Sequence, residues 1–151
     1  MESNKMDLFN EVSLRILSAL YASFPAPIGL NPAVIGMLED TSYQNELGAM
    51  VHEEEWKNLD QFIKDTARWL ANEGYLSHRQ DHSRFWSTYT LSSMGLKCLK
   101  NVEQPNIGQS TFAEKLKDEG ATAAKAAASK FMDQFLAAGA TILINAAGLS
   151  S

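Results

Sequence analysis

Two groups of side chains in this chain could do chemistry, and both are basic. Lys57, Gln61, Lys64 and Arg68 recur three or four residues apart, a spacing that lines them along one face of a helix. Lysine and arginine neutralise phosphates and glutamine can read a base edge, so such a stripe suits nucleic-acid contact. The second group, His78, Arg79, His82 and Arg84, crowds around the single acid Asp81 and could lie along a phosphate backbone. A competing reading exists for the stripe. Glu53, Glu54, Glu55, Asp60, Asp65 and Glu73 surround it, so Lys57, Lys64 and Arg68 could equally form a solvated face with helix ion pairs to Asp60 and Asp65.

Other chemistries find little support. His78 and His82 flank a turn with no third ligand at sensible spacing, and His52-Glu53 lacks the second histidine of a helical zinc motif, so no metal is expected. Neither a glycine-rich phosphate loop nor a Gly-x-Ser-x-Gly elbow occurs, so no catalytic residue and no cofactor are expected. Cys98, the single cysteine, excludes an internal disulfide and sits between Leu96 and Leu99 as a small core residue. A net charge of -5 gives the chain no general attraction to nucleic acid, so any such contact must be local. The N-terminus shows no basic start followed by an apolar run, which predicts a cytoplasmic setting.

The elements that must hold these residues can be read from periodicity. Phe9, Val12, Ile16, Ala19 and Leu20 predict an amphipathic helix over about residues 7–24, ended by Pro25 and Pro27. Asn31-Pro32 starts a short helix carrying Val34, Ile35, Met37 and Leu38. The polar run from Asp40 reads as a loop or partial helix. A third helix is predicted over about residues 53–73: glutamates suit its positive end, Trp56, Leu59, Phe62, Ile63, Thr66, Trp69 and Leu70 form its apolar stripe, and Gly74 stops it. Residues 75–79 and 85–91 read as two strands around a polar turn, and Ser92 or Ser93 caps a further helix.

The run Trp69-Leu70-Ala71-Asn72-Glu73-Gly74-Tyr75-Leu76, then a hairpin, then Tyr89-Thr90-Leu91-Ser92-Ser93-Met94-Gly95-Leu96-Lys97-Cys98-Leu99 resembles the second half of winged-helix transcriptional regulators of the MarR and PadR groups. The resemblance spans about residues 7–101, and only its last third is motif-like. It implies that the helix before the hairpin enters the major groove while the hairpin tip, residues 78–84, touches the DNA backbone or minor groove. A winged helix can also serve as a protein-binding module.

Beyond Pro105 and Gly108 the chain changes character. A long helix is predicted from about residue 111, with Ser110 or Thr111 as cap and Glu114 completing a capping box. Ala123, Ala124, Ala127 and Ala128 would permit close approach of a second helix, and Phe131, Met132, Phe135, Leu136, Ile142 and Leu143 supply an apolar surface suited to self-association. Gln134, Gly139, Asn145 and Gly148 interrupt that surface, so it falls short of a membrane span.

The expected architecture is therefore mainly α with a small β-hairpin wing: a winged-helix domain over 1–103, a linker over 104–110, and a C-terminal association helix within 111–151. The expected function is that of a dimeric, non-enzymatic regulator binding double-stranded DNA. The alternative is a winged-helix adaptor that binds protein and assembles, or touches membrane, through its C-terminal helix.

Overall fold

The computed structural model describes residues 2–40, 42–80, 87–102 and 120–146. It is mainly helical, with helices α1 (Glu2–Ser23), α2 (Glu54–Asn72), α3 (Ser93–Lys100) and α4 (Gly120–Ala146). Two antiparallel strand pairs accompany them: β1 (Tyr43–Gln44) with β2 (Met50–Val51), and β3 (Leu76–Gln80) with β4 (Ser87–Leu91).

The first helix starts five residues earlier than its apolar pattern predicts, and it buries Val12, Ile16, Leu17 and Leu20. After it, Ile28 and Tyr89 exchange backbone hydrogen bonds of 3.0 and 2.9 Å, so one residue of the incoming chain is laid against β4. Asn31 caps the following segment as its side chain predicts, accepting from the amides of Ala33 and Val34 at 2.9 Å. The segment nevertheless makes only turns. Gly36 at φ 76° halts helical propagation. Arg15 of α1 holds this turn by donating to the carbonyls of Ile35 and Gly36.

Residues 42–51, expected as a loop or partial helix, contain the β1–β2 hairpin, with Tyr43 opposite Val51 and Gln44 opposite Met50. Its loop is organised by Asn45, whose side-chain oxygen accepts from the amides of Leu47 and Ala49 at 2.9 and 3.0 Å. Gly48 takes the φ of 80° that the turn requires.

At its far end α2 terminates in a Schellman motif: Tyr75 donates to the Leu70 carbonyl at 2.9 Å and Gly74, at φ 93°, to that of Ala71 at 3.0 Å. Ser92 then caps α3 by accepting from the Gly95 amide at 3.0 Å. Trp69 departs from the predicted buried stripe: it is 40% exposed, with its ring set edge-on to Phe9 at 5.4 Å. Cys98 is buried, as its position between leucines predicts, and burial pushes its thiol pKa up.

The long helix α4 packs against α1 and α3. Phe131, Met132 and Phe135, expected at a self-association surface, are fully buried in the chain's own core, together with Ala128. Leu136 and Ile142 are half-buried at the edge of that core. The side chain of Leu143, those of Ala123 and Ala124, the predicted cap at residues 110–114 and the predicted linker lie outside the described residues. The apolar stripe is thus used at least in part within the chain, because α1 and α3 offer it a complementary face. No helix among the described residues is long and apolar enough to cross a membrane.

The seat of α4 is tight. A Cβ on Gly139 would collide with the ring of Tyr75, which also packs on Phe135 with centroids 4.7 Å apart. Gly139→Val should therefore lower unfolding stability by about 1–3 kcal/mol, the usual cost of overpacking. Ser13 offers the opposite case, since its hydroxyl is fully buried on α1 without a partner. Ser13→Ala removes that desolvated group and favours the helix, so it should raise stability by about 1 kcal/mol. Urea unfolding of both variants checks the pair.

Candidate nucleic-acid interface

The basic stripe of α2 forms, but it is unevenly available. Lys57, Gln61, Lys64 and Arg68 are all exposed on the same helical face. Lys64 turns to its own helix, with Nζ 2.6 Å from Oδ2 of Asp60. Gln61 does the same, donating to Oδ1 of Asp65 at 3.0 Å. Lys57 and Arg68 have no ion-pair partner among the described residues. The competing sequence reading thus describes Lys64, whereas the two ends of the stripe present free cations.

The second basic cluster is divided by the pleat of the sheet. His78 stands opposite Tyr89 and Arg79 opposite Thr88, so the side chains of His78 and Arg79 leave opposite faces of β3. The His78 and Tyr89 rings lie 5.1 Å apart. Burial raises the Tyr89 phenol pKa, and the positive charge of Arg68 works against that rise. His78 and Tyr89 thus share one face of the hairpin, and Arg68, near the end of α2, is close enough for its charge to act on the Tyr89 phenol. Arg79 is exposed on the other face, with its carbonyl accepting from the Thr88 hydroxyl at 2.8 Å. His82 and Arg84 fall outside the described residues.

A second feature was not legible in the sequence. Asp40 and His52 stand at the two feet of the β1–β2 hairpin and meet at 3.1 Å, Nε2 to Oδ1. The His52 ring stacks on Trp56, centroids 4.6 Å apart and nearly parallel. Beside this pair Leu38, Glu39, Glu53, Glu55 and Trp56 line a small cleft of about 120 Å³. Glu53 is the N-cap residue of α2, yet its side chain makes no capping bond. The signal that could have found this grouping is the pair of acidic runs, Glu39-Asp40 and Glu53-Glu54-Glu55, on either side of a Tyr-x-Asn-x-x-Gly turn.

No group of three or more His, Cys, Asp or Glu residues able to hold a metal ion occurs among the described residues. No family model, no curated protein and no solved structure matches the chain.

The carboxyl pKa of Asp40 is lowered, first by the backbone hydrogen bond from Ser42, then by the Ser42 side chain, with His52 a lesser contributor. A depressed carboxyl pKa favours the fold above the ordinary carboxylate range. That contribution is lost as pH falls through the lowered value. In carbon-detected NMR titrations Asp40 should show a midpoint below the ordinary aspartate value, and His52→Ala should move it up only slightly. A large upward move would make the histidine the main cause.

Proposed function

We propose that the chain is a winged-helix DNA-binding protein, a transcriptional regulator of the general kind represented by the MarR and PadR groups. The order of a helix, a single residue bridged to β4, a capped turn, the small β1–β2 hairpin, the long helix α2, the β3–β4 hairpin and a closing helix is compatible with that shape. The observation that carries the reading is positional. Lys57 and Arg68, without an ion-pair partner among the described residues, offer positive charge on the helix that precedes the hairpin, and the Arg68 charge acts on Tyr89, which packs on His78 of the first hairpin strand.

Eleven residues separate Lys57 from Arg68, which is about 16 Å of helix. That distance lets the two reach different phosphates. Lys64 and Gln61 lie between them, and a base edge would have to compete with Asp60 and Asp65 for their donors. Base readout by these two therefore involves exchange of hydrogen bonds, whereas phosphate contact by Lys57 and Arg68 does not. The reading predicts a strong electrostatic component and modest sequence discrimination.

Electrophoretic or anisotropy titration of random-sequence duplex tests it. Wild-type affinity should fall steeply between low and physiological salt. Arg68→Ala should lower the log–log salt slope by about one, as expected when one phosphate contact is lost. His78→Ala should weaken all sequences alike, and Lys64→Ala should change base preference if a specific site is selected. Failure of the wild type to bind duplex at low salt removes the DNA reading.

A regulator of this kind acts as a pair of copies, and we propose that the contact uses the two α4 side chains that the chain's own core leaves half-covered, Leu136 and Ile142, which flank its buried face. Sedimentation equilibrium should find a dimer, and Leu136→Asp with Ile142→Asp should give monomers with an unchanged helical spectrum. A monomeric wild type overturns that placement.

A further inference from the structure

The β1–β2 hairpin is well made yet packs little of its apolar surface. Leu47 at its tip is 92% exposed, Met50 60% and Tyr43 52%. Tyr43 lies with Val51 on one face and Met50 with Gln44 on the other, so neither face is wholly taken up by the core. Asn45 nevertheless fixes the loop through two side-chain and two backbone hydrogen bonds, and the Asp40–His52 pair closes its feet. An ordered element that displays apolar side chains to water is already arranged for contact, because little conformational freedom remains to be lost on binding.

The sheet itself is unfinished. It has two strands, so β1 and β2 each keep an outer edge free of any described strand. Such edges can accept an extended segment as a further strand.

The charge around the hairpin states what kind of segment would fit. Glu46 is in the loop, while Glu39, Glu53 and Glu55 line the cleft at its base with Trp56. The cleft has space for the end of a lysine or arginine side chain and is well below the size of an ordinary small-molecule pocket. The Glu53 carboxylate is free of a capping role, and an aromatic wall beside carboxylates suits a cation. Phosphate is repelled by the same groups. Nucleic acid and anionic lipid are thus the wrong partners for this surface.

We propose that the β1–β2 hairpin and the acidic cleft at its base form a docking surface for an extended, basic protein segment: one that adds along the hairpin, covers Leu47 with an apolar residue and places a lysine or arginine beside Glu39, Glu53 and Glu55. This surface adjoins Lys57, which follows Trp56 in the first turn of α2, and it does not depend on the DNA reading.

The test is selection of a displayed library of random twelve-residue peptides on the intact chain, followed by anisotropy titration of the enriched peptides. Enriched sequences should combine lysine or arginine with apolar residues, and their binding should weaken as salt screens the exposed charges. Leu47→Ser should weaken binding about tenfold or more, the effect of losing a central apolar anchor. Glu39→Gln with Glu53→Gln and Glu55→Gln should weaken it similarly while leaving Leu47 in place. Thermal melts and duplex titrations run on Leu47→Ser should match the wild type.

Several results overturn the proposal. These are no enrichment, enrichment of acidic or uncharged peptides, or binding that ignores both variants. A dimer that Leu47→Ser converts to monomer would make a second copy the occupant and overturn it too. Loss of duplex binding in Leu47→Ser would assign the hairpin to the DNA surface instead.

Discussion

The junction at Tyr75 is the constraint on which the rest of the molecule depends. Its amide completes the Schellman turn that ends α2, and its carbonyl accepts from the Ser92 amide at the start of α3. That carbonyl sits where a Cβ on Gly95 would stand, so only glycine lets α3 approach so closely. Its ring meets Phe135 and Gly139 of α4. One residue thus sets the exit of the long helix, the entry to the hairpin, the depth of α3 and the seat of the last helix. Burial keeps its phenol protonated, with its pKa raised above the ordinary value.

Features written in local chemistry were legible in the amino-acid sequence. The Asn31 and Ser92 caps, the Gly74 stop, the α2 stripe and the strands on either side of the polar turn depend on neighbours within a few residues. The β1–β2 hairpin was not legible. Two-residue strands with both faces partly in water leave no alternation to detect, and its stability comes from Asn45 and Gly48. The fate of the α4 stripe was also hidden, because an apolar pattern states that a face is buried and not against what. Gly139 inside that stripe was the available clue, since a glycine in an apolar helix marks a close approach.

The candidate interface was legible in its residue types and less so in its geometry. Helical spacing correctly lines Lys57, Gln61, Lys64 and Arg68 on one exposed face. The hydrogen bonds that draw Gln61 and Lys64 to Asp65 and Asp60 depend on rotamers, which spacing does not fix. His78 and Arg79 are neighbours in sequence, yet adjacent strand residues face opposite ways, so a cluster counted along the chain becomes two positions in space. Tyr89, which packs on His78, could be recognised as its neighbour only once the strand register was known.

These placements make α2 a helix with two different ends. Glu53, Glu54 and Glu55 stand at its start, where the helix dipole favours negative charge, and no basic residue sits in its last turn. Arg68 lies thirteen residues beyond Glu55, about 20 Å along the axis. At physiological salt the screening length is about 8 Å, so exposed charges at the two ends scarcely influence one another. The acidic start therefore leaves the charge of Arg68 uncancelled, whereas Lys57, two residues from Glu55, sits within its reach. A chain with a net charge of -5 can in this way present a basic face and an acidic one on a single helix. For the two proposed surfaces, that separation lets the hairpin and the Arg68 end of α2 be occupied at the same time, each by a partner of opposite charge.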